Sequence, residues 1–261
     1  MQLWSQAIDD SCYVGSVFFD LQKAFDRVWH KGLLAKLHAF GVRDSLYRWF
    51  ESYLSGRKQC TRIDHSVSSW ASLHAGVPQG AILSPLLFIL YVNDITSACS
   101  SNVNLFGDDT STFVTHSDPS RLLTRLQVAV DSLSAWFDRW LLSVNPAKSA
   151  VMIIRSRGMP PVHAQISLKQ EQIQQVSTHK HLGLTITDSL TWDAHVQCII
   201  AKASKRLGML QRYKNRLAAL AIGHYYCSAI RPVELSLCPG QQVVGAVPAP
   251  SGASHHWGKA S

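Results

Sequence analysis

Leu105-Phe106-Gly107-Asp108-Asp109-Thr110-Ser111 carries a glycine and two adjacent carboxylates between apolar runs, and Val17-Phe18-Phe19-Asp20 ends another apolar run on a third carboxylate. Val103 and Leu105 alternate with Asn104, and Phe113 and Val114 follow. The spacing therefore predicts strand, tight turn, strand, with both aspartates at the hairpin tip. Adjacent carboxylates repel unless a cation neutralises them. Three carboxylates at strand ends suggest a cage for magnesium, which takes oxygen ligands and is held by one or two carboxylates plus substrate phosphates. A solvated acidic turn is the competing reading of the pair taken alone.

At 261 residues and 46% hydrophobic, the chain can bury a sizeable core, as one large domain or two small ones. Its most apolar stretch, residues 81–92, is too short to span a bilayer and contains Ser84 and Pro85; no basic-then-apolar leader opens the sequence. An intracellular protein with no membrane contact is expected. The six cysteines form no Cys-x-x-Cys pair and no cluster with zinc spacing, which favours reduced thiols. Net charge is +8, and residues 145–216 account for all of it, with eleven Lys and Arg against three acidic residues. Within that region residues 201–216 read as a helix carrying Lys202, Lys205, Arg206, Arg212, Lys214 and Arg216. Such a helix is either a solvated face or a contact to a nucleic-acid backbone, which Lys and Arg neutralise without reading bases.

Residues 14–20 read as a buried strand. Residues 30–40 read as a helix with Leu33, Leu34, Leu37 and Phe40 inward, and residues 44–54 as another carrying Leu46, Trp49, Phe50 and Tyr53. Residues 60–64 and 70–74 look like a hairpin. Ser84-Pro85 and Asp118-Pro119 have the composition of helix starts, the second opening a helix to about residue 142 with Leu122, Leu126, Leu133, Phe137 and Trp140 inward. Residues 151–154 and 182–187 read as strands, with Thr191 capping the basic helix. The irregular mixture predicts an α+β fold.

Several segments in order resemble one family. Phe18-Phe19-Asp20-Leu21-Gln22-Lys23-Ala24-Phe25-Asp26, Gly76-Val77-Pro78-Gln79-Gly80-Ala81-Ile82-Leu83-Ser84-Pro85-Leu86-Leu87-Phe88, Phe106-Gly107-Asp108-Asp109, Leu142-Ser143-Val144-Asn145-Pro146-Ala147-Lys148 and His181-Leu182-Gly183-Leu184 look like the successive motifs of the reverse transcriptases of non-LTR, LINE-type retrotransposons, in particular the jockey-like branch. The resemblance implies a polymerase palm, an antiparallel sheet with flanking helices, and partial fingers over residues 1–187. It further implies a basic thumb-like segment over 188–232; the abrupt composition shift that follows departs from the family and reads as a disordered tail over 233–261. It implies RNA-templated DNA synthesis from an RNA template, a DNA primer and deoxynucleoside triphosphates, with Mg2+, or Mn2+ in its place, held by Asp20, Asp108 and Asp109 in a two-metal nucleotidyl transfer.

The same resemblance puts Gln79 and Gly80 against the incoming nucleotide, with a tight structural turn as the competing reading of the glycines. It puts Phe25 beneath the sugar, where a ring would exclude a 2′-hydroxyl, with a core phenylalanine as the alternative. Lys148 is expected at the leaving pyrophosphate, against a plain surface lysine. Leu182 and Gly183 are expected at the primer end. Only nineteen residues precede Asp20 and none is Lys or Arg, and after Pro232 the text turns Gly/Pro/Ala/Ser-rich. The expectation is therefore a truncated copy, with an inactive nucleic-acid-binding remnant or an RNA-dependent RNA polymerase as alternatives. Gly107 stands where the family usually has Ala.

Overall fold

The seven residues Tyr13–Phe19 form strand β1, and every one of them is buried, which a strand achieves only when both of its faces are covered. It follows helix α1 (Gln2–Asp9) in a computed structural model that describes residues 2–213. After β1 come α2 (His30–Ala39), α3 (Asp44–Leu54), the short strands β2 (Lys58–Gln59), β3 (Arg62–Ile63), β4 (Ser66–Val67) and β5 (Ala71–Ser72), and α4 (Leu83–Val92). Strands β6 (Asn102–Phe106) and β7 (Asp109–His116) then form the expected hairpin, followed by α5 (Pro119–Arg139) and β8 (Ala150–Ile154). The chain continues through β9 (Ser167–Leu168), β10 (Glu171–Gln172), β11 (Gln174–Gln175), β12 (Thr178–His181), β13 (Leu184–Thr187) and α6 (Asp193–Tyr213). It divides into two compact units, Met1–Val196 and Gln197–Ser261.

The main sheet has the order β11-β8-β1-β7-β6, antiparallel except for the β11–β8 pair. Alternate side chains of β1 enter two different cores, as the two-residue period of a strand requires. Tyr13, Val17 and Phe19 face the larger one, with Leu122, Leu126, Leu133 and Phe137 of α5. Gly15 lets that helix approach: a Cβ there would lie 3.0 Å from a Leu126 methyl. Val14 and Phe18 face the smaller core, with Trp4, Phe113, Met152, Ile154 and Ile186. Asp118 caps α5 by accepting from the Ser120 N–H at 2.9 Å, as its position before Pro119 leads one to expect.

Several expectations need correction. Phe40 is 52% exposed, and Leu46 and Trp49 are also exposed, so neither α2 nor α3 buries the whole stripe read from its periodicity. On α3 Phe50 and Tyr53 turn inward as expected, but with Tyr47 and Leu54 in place of Leu46 and Trp49. Ser84 does not cap α4, which begins at Leu83; its hydroxyl donates to the Pro78 carbonyl and ties the preceding loop to the helix. The hairpin after α3 pairs β2 with β5 around an inner β3–β4 ladder, not residues 60–64 with 70–74. Residues 182 and 183 form the turn before β13 and are not part of it. The Thr191 hydroxyl bonds Thr187 and Ser189 side chains, and α6 starts two residues later.

Lys36 is a buried cation that sequence reading passed over. Its ammonium donates to the Tyr91 carbonyl and to the Asp94 carboxylate, and lies 3.4 Å from the centroid of the Trp140 ring. Burial pulls its pKa down, opposed by Asp94. The contact pins α2 to the end of α4. Among the described residues no helix is long and apolar enough to cross a membrane, and Cys12, Cys60 and Cys99 are free thiols.

Candidate active site

The β1–β7 register ends at the pair Phe19–Thr110, and the residues next beyond that pair on the two strands are Asp20 and Asp109. Both lie on the face shared by Phe18, and both line one cavity of about 180 Å3 together with Phe18, Thr110, Lys148, His179, Lys180 and His181. Asp108 sits in the two-residue turn between Phe106 and Asp109, which Gly107 makes tight by taking φ +61°, a left-handed conformation that glycine adopts without strain. The Asp108 side is different: it lines a cavity of about 550 Å3 with Lys23, Phe25, Gln79, Gly80 and Ser84. Of the three carboxylates expected to act together, Asp20 and Asp109 line one cavity and Asp108 lines the next.

Asp20 is held by backbone. Its N–H donates to the Ser149 hydroxyl at 3.2 Å, its carbonyl accepts from the Asn145 N–H at 2.8 Å, and Ser149 in turn donates to the Asn145 carbonyl at 2.8 Å. The turn that carries Lys148 is thereby fixed to the end of β1. Lys148 is exposed and lines both the cavity above and a third one, of about 520 Å3, with Asp20, Lys23, Arg27 and Asn145.

The loop bearing Gln79 docks on the turn after Asp20. Gly76 donates to the Val28 carbonyl and Val77 to the Phe25 carbonyl, each at 2.8 Å, while the Gln79 amide donates to the Asp26 carboxylate at 2.9 Å. Gly76 is required there. It has φ +88°, and a Cβ would lie 2.7 Å from the Asp26 carbonyl oxygen and 2.8 Å from its Cα. Gly80 also has positive φ, +83°, but its surroundings are open. The structural-turn reading thus applies firmly to Gly76. Phe25 stacks on Phe88 with ring centroids 4.7 Å apart and also walls the cavity of Gln79 and Gly80.

Leu182 and Gly183, with φ +50° and +85°, form the two-residue turn between His181 and Leu184. The strand before them carries His179 and His181 on one face, where His179 stacks on Phe18 at 4.0 Å. Two histidines spaced by two in a strand share a face, a signal that was present in the sequence. Burial lowers the pKa of His179, helped by the neighbouring His181 and opposed by Asp109; burial lowers His181, again opposed by Asp109. Folding therefore favours their neutral forms. In the window below the ordinary value of 6.5 the unfolded chain binds more protons than the native one, so stability falls as pH falls. Thermal melts from pH 7.5 to 5 are expected to show that decline, and a His179→Phe/His181→Phe variant to flatten it. An equal slope in both proteins would rule the pair out as its source.

Lys202, Lys205, Arg206 and Arg212 all lie on α6, within about 120° of arc at 3.6 residues per turn. Lys214, Arg216 and the tail expected over residues 233–261 lie outside the described residues. No three His, Cys, Asp or Glu side chains among the described residues form a group that could hold a metal ion. The facing pair Asp20 and Asp109 nonetheless fits a hard divalent cation that completes its shell with water and substrate phosphate.

An antiparallel sheet that presents facing carboxylates at one end, beside a glycine-bearing loop, is the frame of a polymerase palm. The chain belongs to the reverse transcriptase (RNA-dependent DNA polymerase) family, which residues 6–186 match. It is 32% identical over 227 residues to the probable RNA-directed DNA polymerase from transposon BS of Drosophila melanogaster, covering 83% of this chain and 25% of that protein. It is 29% identical over 255 residues to the RNA-directed DNA polymerase from mobile element jockey of the same species, covering 92% and 27%. The chain spans about a quarter of the length of these relatives. Among solved structures, telomerase from Candida tropicalis in complex with a fragment of telomeric RNA matches with a TM-score of 0.50 and 11% identity, over 74% of this chain and 32% of that one, a likeness of fold. Reverse transcriptases as a family use divalent metal ions and extend a primer along a nucleic-acid template.

Proposed function

We propose that this chain is the palm of a non-LTR retrotransposon reverse transcriptase and carries out RNA-templated addition of deoxynucleotides to a DNA primer. The observation that carries the reading is the alignment of Asp20 with Asp109 at the end of the β1–β7 ladder, with Lys148 lining the same cavity. Asp20, Asp109 and, from the turn, Asp108 would hold Mg2+, which would supply a lowered pKa at the primer 3′-hydroxyl and an offset to the charge on the phosphates.

The chain's own residues position the rest. The primer 3′-hydroxyl gives up its proton to solvent, its oxygen forms a bond to the α-phosphorus of the nucleotide as the bond to pyrophosphate breaks, and Lys148 donates a proton to the leaving oxygen. Gln79, oriented by Asp26, and Gly80 contact the incoming nucleotide. Leu182 and Gly183 support the primer end. Lys202, Lys205, Arg206 and Arg212 on α6, with Lys214 and Arg216 beyond it, neutralise nucleic-acid phosphates without regard to sequence.

Primer extension on an RNA template with Mg2+, run beside an Asp108→Asn variant, tests this. Extension that is lost in the variant supports the reading. No RNA-templated addition by a folded wild-type chain, or addition indifferent to the carboxylate, overturns it.

Phe25 makes a second test. Shrinking it to Val opens the wall beside Gln79 and removes the ring that stacks on Phe88. Discrimination against ribonucleotides is expected to fall by about tenfold or more, the scale of a steric pocket change of a few methylenes. An unchanged ratio of deoxynucleotide to ribonucleotide incorporation would return Phe25 to a purely structural role.

A further inference from the structure

The Gly76 carbonyl accepts hydrogen bonds from side chains of two different elements: the His30 Nε2–H donates to it at 2.8 Å and the Arg57 guanidinium at 3.2 Å. A carbonyl has no proton to give, so the imidazole carries its hydrogen on Nε2. Two donors also occupy both lone pairs of that oxygen. With the Gly76 N–H already bonded to the Val28 carbonyl, both main-chain polar groups of this glycine are committed.

His30 has a stiff mount. It is the first residue of α2, whose Leu33 and Leu37 are buried and whose Lys36 is tied to Tyr91 and Asp94 at the end of α4. Arg57 lies just before β2, and its own carbonyl accepts from the Leu73 N–H at 2.8 Å across the base of the exposed hairpin. The loop held by these two donors reaches Gln79 three residues later. On the way Val77 is fixed to the Phe25 carbonyl and Pro78 to the Ser84 hydroxyl, and the Gln79 amide ends on Asp26. Slack at Gly76 therefore passes directly to Gln79 and to the seat of Phe25. Neither His30 nor Arg57 lines the cavity that Phe25, Gln79 and Gly80 share, so their effect on it runs through the loop.

We infer that His30, with Arg57 as the second donor, is a positioning residue for the incoming nucleotide: it locks the Gly76 carbonyl so that the loop holds Gln79 and Phe25 in one arrangement. The inference deepens the polymerase reading and rests on it for the identity of the bound molecule. No proton or bond passes through the imidazole. Its contribution is geometric, and a displacement of about 1 Å at a reacting group can cost on the order of a hundredfold in rate.

The test is single-nucleotide addition by the full chain on an RNA template with Mg2+. His30→Leu removes the donor and keeps a residue that suits a helix. Its nucleotide KM is expected to rise about tenfold, the scale of one lost hydrogen bond to a part-buried carbonyl, with affinity for the template and primer unchanged. His30→Gln keeps an N–H near the former Nε2 and is expected to recover most of that loss. A double-mutant cycle separates positioning from plain structural support: His30→Leu should add little in a Gln79→Ala background, whereas independent losses multiply. An unchanged KM in His30→Leu, no recovery in His30→Gln, or multiplying losses would each overturn the assignment and leave the polymerase reading standing. Hydrogen exchange needs no turnover. The Gly76 and Val77 amides are expected to exchange at least about tenfold faster in His30→Leu than in the wild type, and equal protection would overturn the anchor even where primer extension fails.

Discussion

Asp20→Asn is expected to cut primer extension by about a thousandfold or more without harming the fold. Charge stabilisation at a metal-assisted phosphoryl transfer amounts to several kcal/mol, and each ~1.4 kcal/mol is tenfold in rate. An amide keeps the size of the side chain and loses its charge. The backbone bonds that place Asp20, to Ser149 and Asn145, do not involve the carboxylate. Since Asp20 and Asp109 face each other across the ladder, removing one charge relieves repulsion, and the melting temperature should hold or rise. Asp109→Asn should behave alike on both counts. Asp108, which lines the neighbouring cavity, should give the loss of rate without the gain in stability. A residual rate above a tenth of wild type in Asp20→Asn, measured by single-nucleotide addition, would show that this carboxylate does not hold the ion.

Gly76→Ala is expected to be the most damaging single-methyl change in the described chain. The added carbon meets the Asp26 backbone at 2.7 to 2.9 Å, and backbone cannot swing aside as a side chain can. Positive φ adds about 1–2 kcal/mol for a non-glycine residue. With the overlap, the cost should reach about 3 kcal/mol or more, a fall of roughly 6–12 °C in Tm for a domain of this size. Gly80→Ala gives the contrast. It has similar φ and open space, so only the backbone cost of about 1 kcal/mol applies. Equal shifts in the two variants, measured by calorimetry, would mean that the loop does not depend on its close seat against Asp26.

Most of the sheet was legible in the sequence because alternation and turn chemistry are local. Leu105 to Ser111 announced its own hairpin, and the Asp118-Pro119 cap was visible for the same reason. Helix burial was less legible. Periodicity shows that a stripe exists, yet the partner decides which stripe is covered; on α3 the covered side is rotated toward Tyr47 and Leu54, leaving Leu46 and Trp49 out. Ser84 had a cap's composition, but a carbonyl at Pro78, brought near only by the folded loop, took its hydroxyl. At the site, residue identities were readable and groupings were not. Which of Asp108 and Asp109 faces Asp20 depends on strand register, and the gathering of Lys23, Arg27 and Lys148 depends on a turn docking that joins distant segments. His179 and His181 were the missed opportunity, since their spacing in a strand was enough to put them side by side.

The position of β1 has a consequence for synthesis. Tyr-Val-Gly-Ser-Val-Phe-Phe is uncharged, free of proline and rich in β-formers, the composition of a segment that stacks with copies of itself when left unpaired. It lies at the middle of the sheet, but its two neighbours run to His116 and Ile154. At roughly 5–20 residues per second the ribosome needs on the order of ten seconds after making this strand before both neighbours exist. Throughout that interval the nascent chain exposes this unpaired strand. Polysomes crowded on one message would bring several such stretches together, so yield in a cell should depend on holdase chaperones and on translation speed more than on the stability of the finished fold.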